Sequence, residues 1–335
     1  MKNIPIYSFL IAIFVCISCA AAIKNPDTIE RVQSHMGTYG RILIYNGNSQ
    51  DVDAAFAKIK ELDNLLSDYN PNSEISEINN NAGIKPIKVD PQVIEVLELA
   101  KEVASQTNGV FDPTIGALTI GVYRFGREAN VNPSQDDITK AKSLVNYKNL
   151  IIEGNTVYLE KKGMMIDLGG IGKGFAIQKA VGVLKERDVR SGVVSLSGDI
   201  KIFGHQSEIA IRNPDSNKAI ATFTSNEDEI TISTSGSYER SVNVDGEVYH
   251  HLIVPKTGKP GNDFLSLTVV TKDNSALADA YATALFILGK DKMFEYIDTH
   301  DNIGVFVVFP DKKIYYNKTF TDLVHNLEIE ENLSE

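Results

Sequence analysis

The stretch Asn274 to Gly289, NSALADAYATALFILG, constrains the fold of this chain more than any other. Its alanines and leucines favour helix, Asn274 or Ser275 can serve as N-cap, and Gly289 supplies the stop. Apolar side chains occupy nearly every side, so the helix must be covered all round rather than laid on a surface. Into that apolar body are set Asp279 and Thr283, four residues apart and therefore neighbours on one face. A carboxylate in such a place is costly unless it is paired, hydrogen-bonded or bound to a metal. Carboxylate plus hydroxyl is all-oxygen ligation, which suits a hard cation such as Mg²⁺ rather than zinc or copper. The competing reading is an Asp satisfied by backbone N–H groups and a Thr bonded back to its own helix.

Residues 1–18 read as an export signal: Lys2 gives a positive start, and Tyr7 to Ile17 is an apolar run too short to span a bilayer comfortably. Cys16-Ile17-Ser18-Cys19-Ala20 then resembles a lipoprotein processing site, with Cys19 as the lipidated first residue. The alternative is a plain secretory signal cut near Ala20 to Ala22. Either way the mature chain is expected outside the cytoplasm, on the periplasmic side, and in the first case held to the membrane by its lipid. The chain's 2 cysteines both fall in this segment, so the folded part has no disulfide, thiolate nucleophile or cysteine metal ligand. With 44 acidic against 33 basic residues and no basic run, nucleic acid and anionic membrane surfaces are poor partners. The 6 histidines include no pair at zinc-site spacing, which leaves oxygen ligation as the main metal chemistry.

Beyond a tether over 19–30, a single domain is expected from 31 to 327, followed by a frayed acidic tail over 328–335. Periodicity predicts a strand at 40–45, helices at 51–67, 91–107 and 171–187, and a polar loop from Ser67 to Glu74. Strands are expected at 150–159 and 163–167 around a Lys161-Lys162-Gly163 turn. A strand-rich half follows, at 191–197, 200–203, 208–212, 219–223, 229–235, 242–253 and 264–271. Helices at 274–289 and 291–299 and strands at 303–309 and 312–316 complete an α+β unit with antiparallel sheets.

Two further segments have chemical potential. Asp167-Leu168-Gly169-Gly170-Ile171-Gly172-Lys173-Gly174 is a glycine-rich turn that opens a helix. Its N–H groups and Lys173 can meet a phosphate, although the spacing fits neither a Walker loop nor a dinucleotide fingerprint. A tight structural turn with a solvated Lys173 explains the same residues. In a strand, His250 and His251 face opposite sides, and His251 is the better placed for a site beside the Pro255-to-Gly258 turn. Ser197-Gly198-Asp199, a small-residue turn beside polar groups, carries no assignment on its own.

Taken in order, these segments resemble the ApbE family, the FAD:protein FMN transferases. The matching pieces are Met36-Gly37-Thr38, Tyr69 with the 73–79 segment, and Gly109-Val110-Phe111-Asp112-Pro113-Thr114. Asp167 to Gly174, the 233–240 run, His251 with Pro255 to Gly258, and Asp279 with Thr283 complete the set. The chain departs from the family pattern at Ser197, where Gly is usual, and at Val254, where Asp is usual. The resemblance implies a T-fold-like α+β architecture and Mg²⁺-dependent cleavage of FAD. FMN would pass to a Ser or Thr of an acceptor redox protein, with release of AMP. It implies Asp279, Thr283 and the Gly170 carbonyl as metal ligands, and His251 as general base, a role for which histidine's ordinary pKa near neutrality is suited. It also implies an FAD pocket of Met36, Tyr69, Gly109, Val110, Phe111, Asp167, Lys173 and Ile253. The same residues would serve an FAD pyrophosphatase, and a flavin-binding lipoprotein with little turnover is the third possibility.

Overall fold

The computed structural model describes residues 28–330. The export segment, Cys19 and residues 331–335 lie outside the described residues. Eight strands form one antiparallel sheet in which spatial order follows chain order. They are β1 (Thr28–His35), β2 (Thr38–Tyr45), β3 (Ser191–Leu196), β4 (Asp199–Phe203), β5 (Glu229–Gly236), β6 (Ser266–Thr271), β7 (Gly304–Val308) and β8 (Ile314–Tyr316). Helices α1 (Ser49–Leu66), α2 (Pro91–Gln106), α3 (Gly172–Glu186) and α4 (Ser275–Leu288) build the principal core against one face. The opposite face packs on a three-stranded sheet (208–212, 219–225 and 324–329) and the Lys318–Leu323 helix.

α4 is the buried helix that its composition demands. The Asn274 side chain accepts from Leu277 N at 2.8 Å, and Gly289, at φ 79°, ends it. Every residue from Ala278 to Ile287 is buried, Asp279 and Thr283 included. α3 lies across it, and Gly174 permits the close approach: a Cβ there would stand 2.0 Å from the Ser275 carbonyl and 2.7 Å from Asp279 Cβ.

Several segments differ from expectation. Residues 163–167 form no strand: Gly163 is a turn residue at φ 90°, Met165 makes only an isolated bridge to Ile115, and at Ile166 a side chain takes the place of a partner strand. Asn79 Oδ1 accepts from Ile166 N at 2.6 Å, and Asn79 Nδ2 donates to Ile166 O at 3.0 Å. The 150–159 hairpin turns at Gly154, φ 59°, not at Lys161 to Gly163. The expected 242–253 strand is split by Asp245-Gly246, both at positive φ, into a hairpin and a short following strand. Thr28–His35 is strand, so the tether does not extend to residue 30. Residues 328 and 329 are not frayed: Glu328 and Ile329 pair with Thr222 and Ala221. Helices Glu74–Asn80, Gln135–Lys142 and Lys318–Leu323 had not been foreseen.

Candidate functional site

β5 presents Thr231, Ser233 and Ser235 to the helical layer, since alternate strand residues share a face. α4 presents Ser275, Asp279 and Thr283 at four-residue intervals. Two strand residues advance about 6.7 Å and four helical residues about 6.0 Å, so the two polar rows stay in phase over their three positions. Thr231 Oγ1 lies 3.5 Å from Ser275 Oγ, and Ser235 Oγ lies 3.4 Å from Thr283 Oγ1. Between these ends, the Ser233 hydroxyl donates to Asp199 Oδ1, and the Lys173 ammonium pairs with Asp199 Oδ2. The result is a polar seam through otherwise apolar packing.

Asp279 is 3% exposed, and its Oδ2 accepts from Gly174 N, in the first turn of α3, at 2.9 Å. Burial, reinforced by the Asp199 charge and opposed by Lys173 and by the backbone hydrogen bond, pushes its pKa up to about 7. For Lys173, burial favours the neutral form, but the Asp199 and Asp279 charges outweigh it and hold the ammonium above the ordinary lysine range. Gly170 is packed against Thr283: a Cβ on Gly170 would meet Thr283 Oγ1 at 2.8 Å. Asp279, Thr283 and Gly170 are therefore gathered in one place. Their carboxylate, hydroxyl and peptide groups form an oxygen donor set that fits Mg²⁺ or a similar hard cation. Among the described residues there is no cluster of three or more His, Cys, Asp and Glu to compete with it.

His250 and His251 have separate fates. His250 Nε2 bonds the Gly261 carbonyl at 2.8 Å, its Nδ1 accepts from Leu252 N, and its ring meets Phe286 edge-on. It is fully engaged in structure. His251 donates its backbone N–H to Arg240 O at 3.1 Å, while its buried Nδ1 has no partner. Burial first, then the Arg240 charge, depresses its pKa to about 3, far from the near-neutral value expected of a base.

The rim is built on Tyr69, 46% exposed, whose hydroxyl donates to Phe125 O at 2.8 Å. Arg127 lies over its ring at 4.2 Å and also pairs with Asp68 at 2.6 Å. Arg240 lies over the ring at 5.9 Å and comes close to the Met36-Gly37 turn. Met36, at φ 52°, donates its N–H to Asp63 Oδ2 at 3.0 Å and reaches toward Gly172 with its methyl. Asp167 accepts from Gly169 N at 2.8 Å and from Thr119 Oγ1, so it shapes the glycine-rich turn as well as facing the rim.

Four expected pocket residues are held elsewhere. Gly109, at φ 78°, caps α2 through its N–H to Ala104 O and lines a concavity of about 340 Å³ with Tyr147 and Lys148. Val110 and Phe111 pack in the principal core. This loop meets the site through Pro113, whose carbonyl accepts from Asp167 N at 2.9 Å, and through the bridge between Ile115 and Met165. The Ile253 side chain is buried among Tyr123, Phe125 and Val242. Conversely, Asp199, Ser233 and Ser235 carried no role from sequence. Their signal was the alternation in Thr231-Ile232-Ser233-Thr234-Ser235, which puts three hydroxyls on the face that a buried helix must cover.

A family model described as the ApbE family matches residues 36–307. The chain is 28% identical over 360 residues to the FAD:protein FMN transferase of Treponema pallidum (strain Nichols), spanning 98% of each. It is 28% identical over 284 residues to the FAD:protein FMN transferase of Klebsiella pneumoniae (strain 342), spanning 83% of this chain and 88% of that one. Among solved structures, an ApbE protein from Thermotoga maritima superposes with a TM-score of 0.81 at 28% identity, covering 88% of this chain and 99% of that one. The flavin transferase ApbE from Vibrio cholerae gives 0.78 at 26% identity with the same coverage.

Proposed function

This chain belongs to the ApbE family, and from that membership and the Asp279 seam we propose how it works: as an Mg²⁺-dependent transferase that attaches FMN to an acceptor hydroxyl. It is an FAD:protein FMN transferase, and its substrate is FAD. The observation that carries the mechanistic reading is the convergence of Asp279, Thr283 and Gly170 where α3 begins against α4. Asp279 and Thr283, with the Gly170 carbonyl, hold the cation. Bound there, Mg²⁺ supplies neutralisation of the FAD pyrophosphate. Met36, Tyr69, Asp167 and Lys173 border the FAD pocket, with Tyr69 offering a ring face.

The acceptor's Ser or Thr oxygen attacks the FMN phosphorus, the bond to AMP breaks, and the hydroxyl proton passes to the His251 ring. His251 is neutral and free at Nδ1 in the unliganded protein. An anionic pyrophosphate beside it raises its basicity toward the working range. Incubation with FAD, Mg²⁺ and a candidate acceptor tests the reading. Flavin fluorescence migrating with the acceptor on a denaturing gel is expected; free FMN and AMP alone would make the enzyme a pyrophosphatase.

We place the protein on the periplasmic side of the membrane, anchored by a lipid on Cys19. The acceptor is then a redox protein facing the same compartment. Cys19→Ser should release the protein from the membrane or leave it as unprocessed precursor; membrane association with unchanged gel mobility would remove the anchor.

A further inference from the structure

Two carboxylates and one ammonium share the seam, and their pairing is unequal. Lys173 is ion-paired with Asp199, while Asp279, although close enough to influence Lys173 electrostatically, has no ion pair with it. We infer that Asp199 is a positioning residue: it holds the Lys173 ammonium away from Asp279 and so leaves the Asp279 carboxylate open to a divalent cation. The inference rests on the metal site proposed above.

Lys173 is adjacent in sequence to Gly174, whose N–H binds Asp279, and a lysine ammonium rides on a flexible four-carbon stem. A buried carboxylate lacking a counter-ion draws such a group strongly. If Lys173 swung onto Asp279, the chain's own ammonium would occupy the cation's place. Asp199 is constructed to prevent this. It begins β4 directly after the turn at Ser197, is 2% exposed, and is fixed at one oxygen by Ser233 of the neighbouring strand β5. Its second oxygen is thereby presented to Lys173 from the rigid centre of the sheet. Formal charge points the same way. With Asp199 the trio carries one net negative charge and attracts a cation; without it, Asp279 and Lys173 cancel.

Mn²⁺ binding, followed by the paramagnetic resonance of the free ion, tests this without any turnover. Asp199→Asn should weaken Mn²⁺ binding by about tenfold or more. Adding Lys173→Met to that variant should restore affinity to within about threefold of the starting protein, because the competing ammonium is gone. Lys173→Met alone should bind Mn²⁺ at least as tightly as the unaltered chain, which keeps the test alive if Asp199→Asn does not fold. A merely structural Asp199 would leave the double variant as weak as the single one. That result, undiminished binding by Asp199→Asn, or a tenfold loss in Lys173→Met would overturn the inference. Asp279→Asn serves as the separate control: if it retains full Mn²⁺ affinity, the metal site itself is wrong.

Discussion

The two faces of β5 present opposite solutions to burial. Toward the helices it offers Thr231, Ser233 and Ser235, tied into the seam with Asp199, Lys173, Asp279 and Thr283. Toward the small sheet it offers Ile230 and Ile232, packed with Ile202, Val270 and Phe306. There the Phe223, Phe306 and Phe320 rings meet at 5.2 and 5.6 Å, without any ionised group. One face of the strand gains its free energy from apolar area, and the other gives some of it up to hold charge out of water. Stability and chemistry are thus separable, because they sit on opposite sides of the same residues' backbone.

Substitutions can break that separation or sharpen it. The largest effect is expected from Asp279→Ala, which should abolish FAD cleavage, a loss of about 10³-fold or more, through several kcal/mol of lost transition-state stabilisation. Its melting temperature without metal should hold or rise; a collapse on heating would show that the seam also carries the fold. Phe306→Ala, on the apolar face, should do the reverse. It should cost about 3–5 kcal/mol in denaturant unfolding while FMN transfer below the melting range stays near normal. His251→Ala should lower transfer by about 10²- to 10⁴-fold with FAD affinity nearly intact, as measured by parallel titrations and transfer assays. A defect confined to FAD binding would make it a pocket residue.

A pH series gives a subtler contrast. Asp279 is pushed up to about 7 from an ordinary 3.8, so between those values the folded protein holds a proton that the unfolded chain has shed. Asp279 by itself therefore makes stability without metal fall as pH rises from about 4 to about 7 and level off above, and thermal melts of Asp279→Asn should lack that contribution. Metal affinity should run the opposite way, weakening below about pH 7 as the proton competes. His251, lowered to about 3 from an ordinary 6.5, acts in the opposite sense over much of the same range: the unfolded chain takes up a proton that the folded protein refuses, so its contribution to stability rises with pH. The Asp279 limb is therefore read as the difference between the unaltered chain and Asp279→Asn. The smallest effect is expected from Ser235→Ala: a loss of metal affinity of about tenfold or less, from one hydroxyl contact at 3.4 Å, with stability nearly unchanged.

What was legible in the sequence was what periodicity and end signals encode. The buried α4, its Asn274 cap and its Gly289 stop are local properties, and so is the adjacency of Asp279 and Thr283. The two histidines do part company as expected, but not by strand alternation: the strand ends at His250 and His251 lies in the bend that follows. Tertiary pairings were not legible. No local signal says that Asn79 supplies the partner for Ile166, or that Asp199 lies on the strand beside that of Ser233. Asp245-Gly246 was a readable turn that a continuous apolar pattern hid. Ser197 is at φ 55°, a backbone region in which glycine is unstrained and a serine is not, and nothing in the local sequence announces it. The depressed pKa of His251 comes first from burial and then from Arg240, and no spacing rule brings either to it.

The matched advance of β5 and α4 has a consequence for how this chain can change over time. A strand reverses its faces with every residue, and a helix turns by about 100°. One residue inserted between Thr231 and Ile232 would send Ser233 and Ser235 to the opposite face of the strand, bring Ile232 into the place of Ser233 beside Asp199, and put Thr234 opposite Thr283. One inserted between Ser275 and Thr283 would carry Thr283 out of line with both Ser235 and Gly170. Point substitutions can therefore drift through this region one at a time, whereas a change in its length breaks every rung beyond it together. The pair behaves as a vernier, and its tolerance for added or deleted codons should be close to zero even though much of its apolar lining can be exchanged.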